Sequence, residues 1–162
     1  MVTNTDRLTA RRLRGVAVGL ALIVVGAFIL AGCGSAASSA ASGALKVTLT
    51  EWAVVLDTAS VPAGDVKFEV TNAGTQFKHE FVVIKSDLAP ADLPADATGK
   101  VDEEGSGLTF VGEVEQLAIG ATESASFNLT AGKYIIICNI VETTAGHESH
   151  YNKGMRTAFT VT

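Results

Sequence analysis

From Leu45 onward the apolar residues of this chain fall in short alternating runs, and none sustains the spacing of a long amphipathic helix. Leu45, Val47 and Leu49 share one face, whereas Trp52, Val54 and Leu56 alternate in the opposite phase, which predicts a β-bulge or bend near Thr50-Glu51. Val61-Pro-Ala-Gly-Asp65 reads as a turn. Val66, Phe68 and Val70 then alternate with Lys67, Glu69 and Thr71, and after the turn at Asn72–Thr75 comes the run His79–Ile84. Further strand signals lie at Leu108–Val111, Ser124–Leu129, Tyr134–Cys138 and Thr157–Val161. Seven or eight short strands separated by turn residues predict an all-β sandwich. Residues 86–107, rich in Asp, Ala, Pro and Gly, read as a surface excursion with a short helix at Ala89–Leu93 and a solvated acidic stretch at Asp102-Glu103-Glu104. The 118 residues from 45 to 162 suit one domain.

The first 44 residues have a different composition. Arg7, Arg11, Arg12 and Arg14 stand against the single acid Asp6, and an almost wholly apolar stretch then runs to Leu30-Ala31-Gly32-Cys33. A basic segment, an apolar core and small residues make an export signal. The stretch from Gly15 to Gly32 is also near the lower limit for a membrane span, so a retained anchor helix is the alternative. Leu-Ala-Gly-Cys resembles the lipobox of bacterial lipoproteins. That resemblance implies a signal peptide over 1–32 and a lipid on Cys33, and Arg11-Arg12 hints at twin-arginine export. Residues 33–44 then form a flexible Ser/Ala/Gly tether with a span on the order of 20 Å.

Removing residues 1–32 leaves 130 residues with 8 basic and 16 acidic side chains, a formal charge of −8. This balance argues against nucleic acid and for basic partners or simple solubility. With Cys33 lipidated, Cys138 is the one remaining thiol, so no internal disulfide forms. An unpaired cysteine in an exported domain is either an inert core thiol or a metal thiolate.

The surroundings of Cys138 bear on that choice. Cys138 ends the apolar strand Tyr134–Ile137, which delivers its sulfur to the rim of a sandwich. His150 and Met155 follow, joined by Tyr-Asn-Lys-Gly, and Gly154 lets the chain turn back so that both side chains face one point. His79 begins a separate strand and meets them only through folding. One thiolate, two imidazoles and a weak thioether suit copper in a trigonal electron-transfer site. Cysteine and two histidines also suit tetrahedral zinc, for which a thioether is a poor fourth ligand. Taken singly, Met155 reads as core filler, His79 as a surface or satisfied histidine and Trp52 as packing. No Ser-His-Asp set, phosphate loop or pair of catalytic carboxylates is present at a credible spacing, so the reading is of a binding protein and not an enzyme.

Three segments resemble the cupredoxins, the small blue copper proteins. Cys138…His150-Tyr-Asn-Lys-Gly-Met155 is similar to their Cys…His-x4-Met ligand loop. Val70-Thr-Asn-Ala-Gly74 with His79-Glu-Phe-Val-Val83 resembles the segment carrying their first histidine. Leu129-Thr-Ala-Gly-Lys-Tyr134-Ile-Ile-Ile-Cys138 resembles the turn and strand leading to the copper cysteine, and Tyr134 the tyrosine corner of Greek-key sandwiches. The resemblance covers residues 46–162. It implies a Greek-key β-sandwich or barrel and one type 1 copper, with His79, Cys138 and His150 in the trigonal plane and Met155 as the axial ligand. The ring edge of His150 is then the surface exit for the electron. Multicopper oxidases and copper nitrite reductases need further domains and more than three histidines.

The chain departs from the pattern in two places. Eleven residues separate Cys138 from His150, more than in compact members, and they include His147 as a rival ligand. Glu80 follows His79 where many relatives carry an asparagine that steadies the ligand loop. The expectation is a monomeric lipoprotein on the extracytoplasmic face of the cell membrane, periplasmic or cell-surface, shuttling electrons between a membrane-associated donor and acceptor. Copper storage or delivery is the second reading, and a metal-free interaction module the third.

Overall fold

The computed structural model describes residues 43–144 and 148–162. The expected signal peptide, Cys33, nearly all of the tether and His147 lie outside the described residues. Among the described residues, no helix is long and apolar enough to cross a membrane.

Two mixed sheets pack face to face. The first has the order β2-β1-β4-β7, built from β1 (Leu45–Thr50), β2 (Ala53–Leu56), β4 (Gly64–Asn72) and β7 (Thr122–Leu129). The second has the order β3-β11-β8-β5-β6, from β3 (Ser60–Val61), β11 (Arg156–Val161), β8 (Gly132–Ile137), β5 (His79–Lys85) and β6 (Thr109–Leu117). Eight of these nine strands are the runs read from the sequence. The ninth, β3, is a two-residue parallel edge on β11, too short to leave a periodic signal. β1 also runs parallel to β4, and the remaining pairs are antiparallel.

The phase change after Thr50 is a hairpin turn between two paired strands rather than the expected bulge or bend. Thr50 pairs with Ala53, so Glu51 and Trp52 alone connect β1 to β2, and Trp52 adopts φ 70°. A bulky residue rarely takes this left-handed conformation. Register slips occur instead between β5 and β6, where β6 carries one extra residue opposite His79–Phe81 and another opposite Val83–Ile84.

Strand parity sorts the core. Phe81, Val83, Tyr134, Ile136 and Cys138 join Leu49, Phe68, Val70, Met155 and Phe159 between the sheets. Phe68 is the centre of an aromatic group, 5.2 Å from Phe81, 5.9 Å from Phe127 and 6.0 Å from Phe159. The alternate residues Val82, Ile84, Ile135 and Ile137 face the other side and are also buried, because Leu93, Val101 and Tyr151 cover them. The 86–107 segment is therefore a packed cover on the second sheet, made of turns, with no helix at Ala89–Leu93. Its few anchoring side chains are too widely spaced to read as a pattern.

The strand directions gather one end of the sandwich. β1, β4 and β8 finish there, β5 and β11 begin there, and the segment at Gly43 lies at the far end of β1. At the opposite end of β8, the Tyr134 hydroxyl donates to the Thr130 carbonyl at 2.8 Å, forming the expected tyrosine corner. Tyr134→Phe leaves that carbonyl without its partner and should destabilise the metal-free domain by about 1 kcal/mol. The check is a denaturant titration, in which the midpoint should fall with the slope unchanged.

Candidate metal centre

Three elements deliver the donors. Cys138 follows β8, and its N–H donates to the Met155 carbonyl at 3.0 Å, continuing the β8–β11 ladder by one rung. His79 opens β5 beside the first register slip. His150 begins a single helical turn, α1 (His150–Lys153), whose N-cap Ser149 accepts from the Asn152 N–H at 3.1 Å. Gly154 closes the turn at φ 122°, and a Cβ there would lie 2.9 Å from the Trp52 carbonyl oxygen. Met155 N–H then donates to the His150 carbonyl at 3.0 Å. This turn carries out the fold-back expected of Gly154.

The result is a buried cluster. His79, Cys138, His150 and Met155 each have 0 % exposure. The Nδ1 atoms of His79 and His150 are 3.3 Å apart, and Cys138 Sγ lies 3.3 Å from His150 Nδ1 and 4.0 Å from His79 Nδ1. An ion bonded at about 2.0–2.3 Å to three donors in a plane sets them roughly 3.5–4.0 Å apart. The observed sides of 3.3, 3.3 and 4.0 Å lie within a few tenths of an ångström of that span, and Met155 packs in the same core cluster as Cys138. These four residues form a site that could hold one type 1 copper.

Electrostatics support the fit. Burial pushes the Cys138 thiol up to about 12, against the opposing pull of the Ile140 and Glu80 N–H groups. Burial, then the neighbouring His150, lowers His79 to about 4. Burial lowers His150 as well, with Glu142 foremost among the acids that oppose it. The pocket thus rejects charge of its own and holds a neutral thiol beside two neutral imidazoles. A bound metal ion supplies the positive charge that turns such a thiol into a thiolate. Neither outer nitrogen, His79 Nε2 or His150 Nε2, has a well-formed hydrogen bond.

Several residues that frame the cluster were not read from the sequence. Asn72, fully buried, donates to the Phe77 and Leu117 carbonyls at 3.1 and 2.9 Å and accepts the Gly74 N–H, fixing the loop that leads to His79. Glu51 Oε1 accepts the N–H groups of Thr75 and Gln76 at 2.8 and 2.9 Å, tying the β1–β2 turn to the same loop. Glu80 donates its backbone N–H to Cys138 Sγ at 3.2 Å. Its carboxyl is raised to about 7, first by burial and then by Glu113 and Glu103. The steadying amide is supplied by Asn139, whose side chain pairs with both backbone groups of Val101 and with Glu103. Ser149 and Tyr151 bind the same cover, through the carbonyls of Gly99 and Pro90.

The expected exposed ring edge of His150 is not found. Trp52 and Phe77 stand edge-on to the His150 ring at 5.3 and 5.5 Å, and Glu142 Oε1 lies 3.4 Å from Nε2. Trp52 packs on this histidine rather than in the core between the sheets.

No protein-family profile matches the chain, and no curated protein does. Solved structures do. Dithionite-reduced auracyanin from the photosynthetic bacterium Roseiflexus castenholzii superposes with a TM-score of 0.50 at 23 % identity, over 72 % of this chain and 94 % of its own. Rusticyanin from Thiobacillus ferrooxidans gives 0.51 at 17 % identity, over 72 % and 76 %. A second rusticyanin structure, described as a copper protein, gives 0.51 at 18 % identity over the same shares. The chain has the cupredoxin fold. Its donors sit at the end of the cupredoxin sandwich where β5 and β11 begin and β8 finishes.

The lowered imidazoles carry a consequence for the metal-free protein. A histidine at about 4 in the fold and near 6.5 when unfolded contributes stability that is present above pH 6.5 and lost as pH falls toward 4. The melting temperature of the metal-free domain should therefore drop between pH 6.5 and 4, and the drop should be smaller in His79→Gln. An equal drop in both proteins would remove His79 as a cause.

Proposed function

We propose that this protein is a type 1 blue copper electron-transfer protein. In this reading His79, Cys138 and His150 would hold the metal through Nδ1, Sγ and Nδ1, with the Met155 thioether as the fourth donor. The supporting observation is the buried triangle of one sulfur and two nitrogens at 3.3–4.0 Å. When bound, the metal supplies a reversible one-electron couple between Cu(II) and Cu(I).

The rest is done by the chain. Cys138 is locked by its own N–H to Met155 and by the Glu80 N–H on its sulfur, and His150 by the capped turn of α1. Donors fixed in this way keep one arrangement in both oxidation states, which lowers the reorganisation that accompanies electron transfer. Complete burial keeps water from the donors. An electron leaving by His150 passes the Trp52 ring, the Phe77 ring or the Glu142 carboxylate that cover it before it reaches a partner. Copper storage or delivery calls for an exposed site with exchangeable ligands, and the four buried donors weigh against it.

The export signal, the lipobox-like Cys33 and the small-residue tether support a lipid-anchored protein on the extracytoplasmic side of the membrane. A tethered domain stays at high local concentration with membrane-associated partners. Its formal charge of −8 favours basic docking surfaces, and redox encounters of this kind are brief.

The test is an optical titration with Cu(II). An intense visible thiolate-to-copper band should appear, bleach with ascorbate and return on reoxidation. Cys138→Ala should abolish the band. A colourless sample that retains copper would replace this reading with copper handling, and a sample that binds none would leave a metal-free sandwich.

A further inference from the structure

The eleven residues between Cys138 and His150 contain a small structure of their own. Val141–Glu142 (β9) and Glu148–Ser149 (β10) pair antiparallel, with Glu142 opposite Glu148 and Val141 opposite Ser149. His150 N–H donates to the Ile140 carbonyl at 2.9 Å, so the helical turn hangs directly from this hairpin. The pairing places the Glu142 carboxylate over the outer edge of the His150 ring, with Oε1 3.4 Å from Nε2. That nitrogen is buried and makes no well-formed hydrogen bond to any described residue, and the carboxylate beside it is that of Glu142. The ring itself is fully buried, flanked edge-on by Trp52, Phe77 and His79.

An imidazole that presents Nδ1 to a metal must carry its proton on Nε2. A buried N–H needs an acceptor, and the group that stands 3.4 Å from this nitrogen is a carboxylate. Carboxylates behind metal-bound imidazoles fix the tautomer and ring orientation and raise the basicity of the ligand. A negative charge one imidazole away from the metal also favours the more positive oxidation state.

Resting on the copper reading above, we propose that Glu142 is a positioning residue for His150. It accepts the Nε2 proton, holds the ring with Nδ1 facing Cys138, and lowers the reduction potential of the centre. The lengthened ligand loop is then the device that brings this carboxylate to the histidine. Glu148 provides an internal comparison. It carries the same charge on the partner strand, but its carboxylate is held by Lys153 at 2.8 Å.

The experiment uses the processed chain and three variants, Glu142→Gln, Glu142→Leu and Glu148→Gln, with two readouts. The first is the nitrogen NMR spectrum of the His150 ring in the metal-free protein. Wild type and Glu142→Gln should show a single tautomer protonated at Nε2, and Glu142→Leu a mixture of tautomers. The second is the potential and affinity of the copper-loaded protein. Glu142→Gln should keep the visible band and raise the potential, by more than Glu148→Gln does. Glu142→Leu should weaken copper binding about 10- to 100-fold. Glutamine preserves the shape of a side chain that is 24 % exposed, so this variant should fold.

An unchanged tautomer in Glu142→Leu, or equal potential shifts in Glu142→Gln and Glu148→Gln, overturns the proposal. Failure of the wild type to bind copper would overturn the functional reading instead. In that event the tautomer measurement still decides the role of Glu142.

Discussion

The pairing of β8 with β11 organises this molecule. Its register, from Gly132 opposite Val161 to Ile137 opposite Arg156, runs one rung further through the Cys138 N–H and the Met155 carbonyl. That bond joins the thiol to the thioether across the sheet and fixes the distance over which the chain must turn to return from His150. β5 pairs with the other edge of β8, Val82 opposite Ile137, which brings His79 to the same level. A shift of one residue in either register would point the Cys138 sulfur to the opposite face of the sheet. The donor triangle is thus a product of backbone hydrogen bonding before any metal is considered.

Complete burial of that triangle comes from two covers of different origin. The 86–107 segment closes the outer face of the second sheet and grips the ligand loop through Asn139, Ser149 and Tyr151. The β1–β2 turn closes the end of the sandwich, with Trp52 held at φ 70° against His150 and Glu51 bound to the loop before His79. A left-handed conformation costs a residue of this size roughly 1–2 kcal/mol. The surrounding contacts hold it there, and such local strain is typical of functional regions.

The strands and the donor types were legible because they follow local rules. Alternation in Val66–Val70 states which side chains face inward, and strand parity along the wholly apolar run Tyr134–Cys138 places the sulfur on the same face as Tyr134 and Ile136. The donor set was legible from side-chain chemistry and order. What sequence could not show depends on distant partners. Leu93 and Val101 are isolated apolar residues whose burial requires the outer face of β5 and β8. Asn139 is one polar residue after a cysteine until Val101 arrives to pair with it. Trp52 reads as packing, which it is, but its target is a candidate ligand, and a turn of two non-glycine residues gives no sign of a positive φ.

β1 also acts as a ruler. It starts two residues after Gly43 and ends beside the aromatic cover, spanning roughly 17 Å over its six residues at about 3.3 Å per residue. Gly43 and the covered histidine therefore stand at opposite ends of one strand, so whatever joins the domain at Gly43 meets it at the end remote from the donor cluster.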